Sequence, residues 1–284
     1  MLQRSTIQLL RFHFSFFLLP VFLFAISELP AINVTHAVLV FIVLHLLVYP
    51  SSNGYNSYMD RDDSPIGGLA KPLQPTRQLF TTSIVLDIVA LVISFFISPW
   101  FSLGILLYIT ASRAYSYRGI RLKQYPVTGF LTVFVFQGAL IFYLSYHAIH
   151  PEQTLNVPLL PCLISSLLIG ALYPLTQVYQ HEADRKDGVR TISSILGKKG
   201  SFIFSMIQFL SATILFYYHF GEDDLDYFFL FLATMFPVVL FFLYWFIRVW
   251  RDEGQADFRN SLMMNVIATV CTSAFFLTLI IIKH

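Results

Sequence analysis

The sequence predicts an all-α membrane protein, with nine transmembrane helices bundled around a central cavity and a polar cap on the cytoplasmic face. Three observations carry that prediction. Only 12% of the 284 residues are charged, 56% are hydrophobic and the mean hydropathy is +0.68, whereas a soluble domain carries about twice that charge. Nine apolar runs are long enough, or nearly so, to cross a bilayer. The basic residues fall almost entirely on one side of the topology those runs define.

The runs lie near 7–27, 33–52, 79–98, 100–114, 126–147, 158–178, 201–219, 226–248 and 261–282. Arg11 and His13 interrupt the first, which argues against a cleaved signal peptide despite Ala25 and Ser27. The fourth is the shortest, parted from the third by little more than Pro99 and Trp100. Nothing else in the chain suffices for a soluble domain, so residues 1–284 read as one polytopic domain. With the N-terminus inside, every Lys and Arg except Lys283 belongs to the inner side. The outer loops hold Glu28, Glu152, Glu222, Asp223, Asp224 and Asp226, with no Lys or Arg. The expected location is a bacterial cytoplasmic membrane, with the N-terminus and the long polar loops in the cytoplasm. Cys162 and Cys271 fall inside spans, where packing is their expected role. The net charge of +2 comes without a dense basic patch, so nucleic acid is not an expected partner.

The polar chemistry sits in three inner loops, after spans two, four and six. Residues 53–64 read NGYNSYMDRDDS, and 124 positions later residues 177–188 read QVYQHEADRKDG. Aligned without gaps, the two share a Tyr (Tyr55, Tyr179), an Asp-Arg pair (Asp60-Arg61, Asp184-Arg185) and a further Asp (Asp63, Asp187). Amides coincide in kind, with Asn53 and Asn56 in one and Gln177 and Gln180 in the other. On a continuous helix these offsets fall within roughly 80° of arc, so each stretch points two amides and two carboxylates one way. Stacked carboxylates repel unless a cation lies among them. Gly67, Gly68, Pro72 and Pro75 then force a turn in the first loop, and Gly188 marks a helix stop in the second. The remaining loop, RAYSYRGIRLKQY, concentrates Arg113, Arg118, Arg121 and Lys123.

Hard cations such as Mg²⁺ take one or two carboxylates plus substrate phosphates, and guanidinium groups pair bidentately with phosphate oxygens. A diphosphate at the mouth of an apolar bundle suggests a substrate with a lipid tail. Some of the thirty Phe and fifteen Tyr would line its cavity, although most would pack or face lipid. Asp87, inside span three, reads either as a functional group or as an inter-helix hydrogen-bond partner. For Gln137 and Asn265 the inter-helix role is the expected one. Asp62, Lys186, Lys198 and Lys199 read as solvated loop charges.

These residues resemble the UbiA superfamily of intramembrane prenyltransferases, nine-helix bundles with an NDxxDxxxD-like motif after helix two and a DxxxD-like motif after helix six. Asn56 and Asp60 match the first motif, Lys71-Pro72 falls where Arg-Pro is common, and AYSYRGIRLKQYP is similar to YSxxPxRLKxxP. EADRKDGVRTISSILG is similar to EGDxxxGxxTLPxxxG, which places Asp184 on the second Asp. The resemblance implies isoprenyl transfer from a prenyl diphosphate to a small aromatic acceptor, with Mg²⁺ bridging Asp60, Asp63, Asp184 and Asp187. It implies that Asn56, Lys71, Arg121, Lys123 and Gln180 bind the diphosphate, and that Tyr115 shields the allylic cation.

The chain departs from the pattern at Ser57 and Ser64, where Asp is usual, and at Gln180. On an ideal helix Asp63 lies about −20° from Asn56, Ser64 about +80° and Asp62 about 240°. Asp63 is therefore expected to replace the missing third carboxylate, with Asp62 pointing away. Two rival readings stand: a weakened member that binds a lipid diphosphate without turnover, and a secondary transporter. Against the transporter, the polar sites lie at helix ends on one face, four helices apart in the same orientation.

Overall fold

The computed structural model describes residues 1–221 and 224–284 and is helical, with no strand among them. Glu222 and Asp223, assigned above to an outer loop, lie outside the described residues. The long helices are α1 (Arg4–Ser27), α2 (Val34–Asp60), α3 (Arg77–Ile97), α4 (Pro99–Ser116), α5 (Pro126–Ile149) and α6 (Leu159–Thr176). After the short α7 (His181–Lys186) come α8 (Ile192–Phe220), α9 (Leu225–Arg251) and α10 (Phe258–Lys283). Eight of these are long and apolar enough to cross a membrane. The predicted fourth span is α4, whose 18 residues extend about 27 Å, close to a hydrocarbon core. Arg113, Ser112 and Ser116 make its last turns polar, which keeps it out of the apolar eight. Long helices consecutive in the chain pack side by side, and α10 returns to α1 to close the bundle.

Several helices depart from α-geometry where the sequence demands it. Pro50 has no N–H to give to the turn before it, and the seven residues Ile42–Val48, ending two positions earlier, are π-helical. A second π segment, Phe134–Ala139, interrupts α5. There the Ala139 N–H donates to Ser166 Oγ of α6 at 2.9 Å, and a Cβ on Gly138 would come 2.7 Å from the Ser166 backbone nitrogen. Glycine thus permits the close α5–α6 approach that rewires the hydrogen bonding.

The interior is aromatic, with Phe24, Phe142, Phe216, Phe231, Phe275 and Phe276 all fully buried. Phe24 stacks on Phe276 with ring centroids 4.5 Å apart. At the bundle end away from the motifs, Glu28 receives His219 Nε2 at 2.9 Å and lies 3.5 Å from Lys283 Nζ, tying α1, α8 and α10 together.

At the motif end, the first turns of α1 grip the loop after α2. Gln8 takes the Leu73 N–H at 2.8 Å and donates to the Lys71 carbonyl, while Thr76 donates to Gln3 at 2.7 Å. Arg11, in the left-handed region at φ 47, donates to the carbonyls of Gly67 and Asn53. The loop is thereby held across the bundle as a cap.

Asp87 is structural. It receives Ser51 Oγ at 2.6 Å and the Arg113 guanidinium, which also lies 4.2 Å above the Tyr55 ring. This buried pair joins α2, α3 and α4 and does not line the cavity described below. Removing one partner strands the other charge, at a cost of about 3–5 kcal/mol. Asp87→Ala is therefore expected to lose most of its yield and melting temperature in detergent. The double change Asp87→Ala with Arg113→Leu should recover part of both, whereas equal losses in the two proteins would refute the pairing.

Candidate active site

The two motifs end on opposite walls of one cavity of about 260 Å³, which Asn53, Asn56 and Asp60 line from α2 and Gln177, Gln180 and Asp184 line from the α6–α7 region. The α2 wall is fixed by a polar zipper to α4. Ser52 pairs with Ser112, and one turn later Asn56 Nδ2 donates to Ser116 Oγ at 3.1 Å. The same amide donates to Asp60 Oδ2 at 2.8 Å, and that oxygen also takes Lys123 Nζ. Beyond α4, Arg118 Nε donates to the Met59 carbonyl at 2.8 Å, drawing the basic loop over the end of α2.

Arg121 joins the halves. Buried and left-handed at φ 50, it lies 3.5 Å from Asp60 and pairs with Asp187, donating also to the Asp187 carbonyl at 3.1 Å. Asp187 lies a further 3.5 Å from Arg118. Tyr115 lines the cavity, its hydroxyl 2.7 Å from that of Tyr173.

The continuous-helix expectation holds as far as Asp60 in the first motif and fails throughout the second, where Gln177 and Gln180 lie in turns and only Asp184 is helical. α2 stops at Asp60, and Arg61 adopts φ 55 and ψ 44, which turns the chain. Asp62 then lines the cavity, while Asp63 is exposed and accepts from Gln74. This reverses the orientations read from an ideal helix for Asp62 and Asp63. In the second motif a 3₁₀ turn, Pro174–Thr176, and further turns precede α7, and Asp187 follows its end. Asp184 therefore faces the cavity and Asp187 faces Arg118 and Arg121. Lys71 is exposed in the cap and outside the cavity wall. Ser64 lines the cavity, as do Gln137 and Asn265.

Arg11 is the residue the sequence reading passed over. It lines the cavity with only 5% exposure, and its Nε is buried without a partner. The signal was present, since an Arg within an apolar span is costly and marks function. Tyr49, Tyr108 and Tyr173 complete an aromatic wall. On the carboxylate side, Asp60 Oδ1, Asp184 Oδ2 and Gln177 Oε1 are likewise buried without hydrogen-bond partners. Phe17, Ile169 and Leu172 also line a second, apolar cavity of about 210 Å³, walled by Phe24, Phe209, Met235 and Phe276.

Burial, with neighbouring acids, raises two of the cavity's carboxyls. Burial first, then Asp60, pushes Asp62 up to about 6. Burial pushes Asp184 up to about 7, with Asp62, Asp60 and Asp187 adding to the rise against Lys123.

Known proteins agree with this architecture. The profile of the UbiA prenyltransferase family matches residues 15–277. No curated protein matches the sequence. A UbiA homolog from Archaeoglobus fulgidus bound to GPP and Mg²⁺ superposes with a TM-score of 0.69 at 21% identity, over 97% of this chain and 99% of that one. A digeranylgeranylglyceryl phosphate synthase superposes at 0.62 and 20% identity, over 98% of both chains. A UbiA homolog from Aeropyrum pernix K1 gives 0.68 and 17%, over 94% of this chain and 97% of that one.

The raised carboxylates set a pH dependence of stability. Asp62 and Asp184 bind protons more tightly in the folded state than at the ordinary value of 3.8. Their contribution is complete below that value and disappears as pH rises through about 6–7. In EDTA the melting temperature should therefore fall between about pH 4 and 7, and Asp184→Asn should flatten the decline. A flat wild-type profile across that window would show that burial does not raise these carboxyls.

Proposed function

The chain belongs to the UbiA prenyltransferase family, and from that premise we propose that it transfers an isoprenyl group from a prenyl diphosphate to a small aromatic acceptor inside the membrane. One observation carries the reading: two acid- and amide-bearing walls, ringed by cations, face each other at the mouth of an apolar cavity. The basic residues at the motif end support a mouth that opens on the cytoplasmic side, in keeping with the bacterial cytoplasmic membrane expected for the chain.

The residues present fit a hard divalent cation. Asp60 and Asp184 each keep a buried oxygen without a hydrogen-bond partner on facing walls, and such ions take carboxylate oxygens together with substrate phosphates. Among the described residues no three acidic, His or Cys side chains converge to enclose an ion alone, so the substrate completes the ligand set. Asp60 and Asp184 would hold Mg²⁺, which when bound supplies positive charge beside the departing diphosphate.

The rest falls to side chains. Arg11 and Lys123 meet diphosphate oxygens from the cavity wall, Gln177 offers its amide beside them, and Asn56 and Gln180, whose N–H groups are held by Asp60 and Ser116 and by Pro65 and Tyr179, shape the wall. Arg121 fixes Asp60 from behind. Asp187 and Asp63 support the walls through Arg121, Arg118 and Gln74, and Lys71 serves the cap. The prenyl tail extends past Phe17 into the apolar cavity. As the C–O bond to the diphosphate breaks, Tyr115, Tyr173 and Tyr108 keep water from the allylic cation and present ring faces to it. The acceptor ring stacks against the same aromatic wall, bonds to the allylic carbon and loses a proton.

Purified protein given labelled prenyl diphosphates of several lengths and a panel of aromatic acids should yield a prenylated ring. Asp60→Ala and Asp184→Ala should each cut turnover at least about a hundredfold while the protein remains folded, and EDTA should abolish it. Full turnover in EDTA would end the metal-dependent reading, and diphosphate binding without turnover would support the weakened member instead. Arg11→Gln should raise KM for the prenyl diphosphate about tenfold. An unchanged KM would remove Arg11 from the anion site.

A further inference from the structure

Away from the cavity, the motif end carries a second group of cations that the proposed reaction does not use. α8 is broken near its start, where Gly197 takes φ 71 and ψ 173. Lys198 and Lys199, expected as solvated loop charges, follow the break half-buried against the end of α9. Lys198 Nζ donates to the Glu253 carbonyl at 2.9 Å, and Lys199 Nζ stands 5.3 Å over the Trp250 ring. Arg251, the exposed last residue of α9, makes no ion pair among the described residues. The acids close by neutralise little of this charge. Asp252 accepts from the Gly254 N–H and from Gln255, and Glu253 reaches only Lys199, 3.9 Å away.

Apolar groups surround the cations. Along α9, Leu240, Leu243, Ile247 and Trp250 are exposed at a spacing of three or four, so one outward stripe runs down to Trp250. Ile195 and Leu196, just before the break, are exposed as well. A free phosphate would gain nothing from such neighbours. A phospholipid gains twice, because its phosphate meets the cations while its acyl chains cover Trp250 and the stripe. An exposed tryptophan at the end of an apolar stripe also marks the headgroup level.

The same segment is tied to the second motif. Ser193 Oγ, in the first turn of α8, lies 2.7 Å from His181 Nε2 of α7 and 2.8 Å from Ser201 Oγ. Val189 and Thr191, between α7 and α8, line the same cavity as Asp184.

We infer that Lys199, Arg251 and Trp250, with Lys198 behind them, bind the headgroup of an anionic phospholipid, and that the bound lipid braces the α7 wall. Neither half depends on which reaction the cavity performs.

The test uses the full chain in phosphatidylcholine nanodiscs. Trp100, at the other end of the bundle, is changed to Phe, which leaves Trp250 exposed and Trp245 buried. Phosphatidylglycerol brominated in its acyl chains is compared with the same fraction of brominated phosphatidylcholine. The anionic lipid should quench Trp250 more strongly. Lys199→Gln and Arg251→Gln should each lower its relative affinity about fivefold, the order expected for one cation near a charged membrane surface. Lys199→Arg should keep the preference, which separates lost charge from a damaged fold. Amide hydrogen exchange across residues 181–196 should slow when phosphatidylglycerol is added to the parent, and not in the double Gln variant. Equal quenching by the two lipids, or a preference that survives the double change, overturns the site and leaves this surface to a protein partner. A preference without slower exchange overturns the bracing.

Discussion

Arg121 sits between Asp60 of one motif and Asp187 of the other, and the shape of the cap follows from that charge. Three acids, Asp60, Asp62 and Asp184, share one cavity at the end of a bundle with little charge elsewhere. Without fixed cations the helix ends carrying them would repel and the cavity would widen. Arg121 and Lys123 come from a single loop, so one loop after α4 draws both walls together. The same electrostatics leave Asp60 and Asp184 each with an oxygen that no hydrogen bond reaches, Asp60 Oδ1 having only Arg121 3.5 Å away, a state tolerable where a cation completes it.

Backbone strain is concentrated around this cavity. Arg11, Arg61 and Arg121 all occupy the left-handed region, where a non-glycine residue costs roughly 1–2 kcal/mol. Each strain aims something: Arg11 into the cavity, Asp62 after Arg61, and Arg121 between the motifs. The α2–α4 zipper and the buried Asp87–Arg113 pair supply the rigidity against which those strained residues are held. Precision at the mouth thus depends on polar packing one or two turns deeper.

How far the chain could be read in advance divides along the same line. The spans were legible because hydropathy and the Lys/Arg bias depend on composition, and α4 was the weakest because Arg113 and its serines face protein. Asn56, Asp60, Gln180, Asp184, Lys123 and Tyr115 were legible from repeated spacing and the family pattern, and the structure brings them to one cavity. Asp63 and Asp62 were read the wrong way round because helical phase was extended past Asp60, and no rule of composition marks Arg61 as left-handed. Arg11 was counted as an orientation signal when its isolation in an apolar run was the clue.

The cap has an implication for biogenesis. Gln3, Gln8 and Arg11 hold the loop at 67–76 that follows them in the chain, and the wall opposite is not made until Asp184 has been synthesised. The family match begins only at residue 15, so this grip belongs to a stretch outside the shared pattern. The first turns of α1 therefore precede, by six helices of synthesis, the wall that completes the chamber they close.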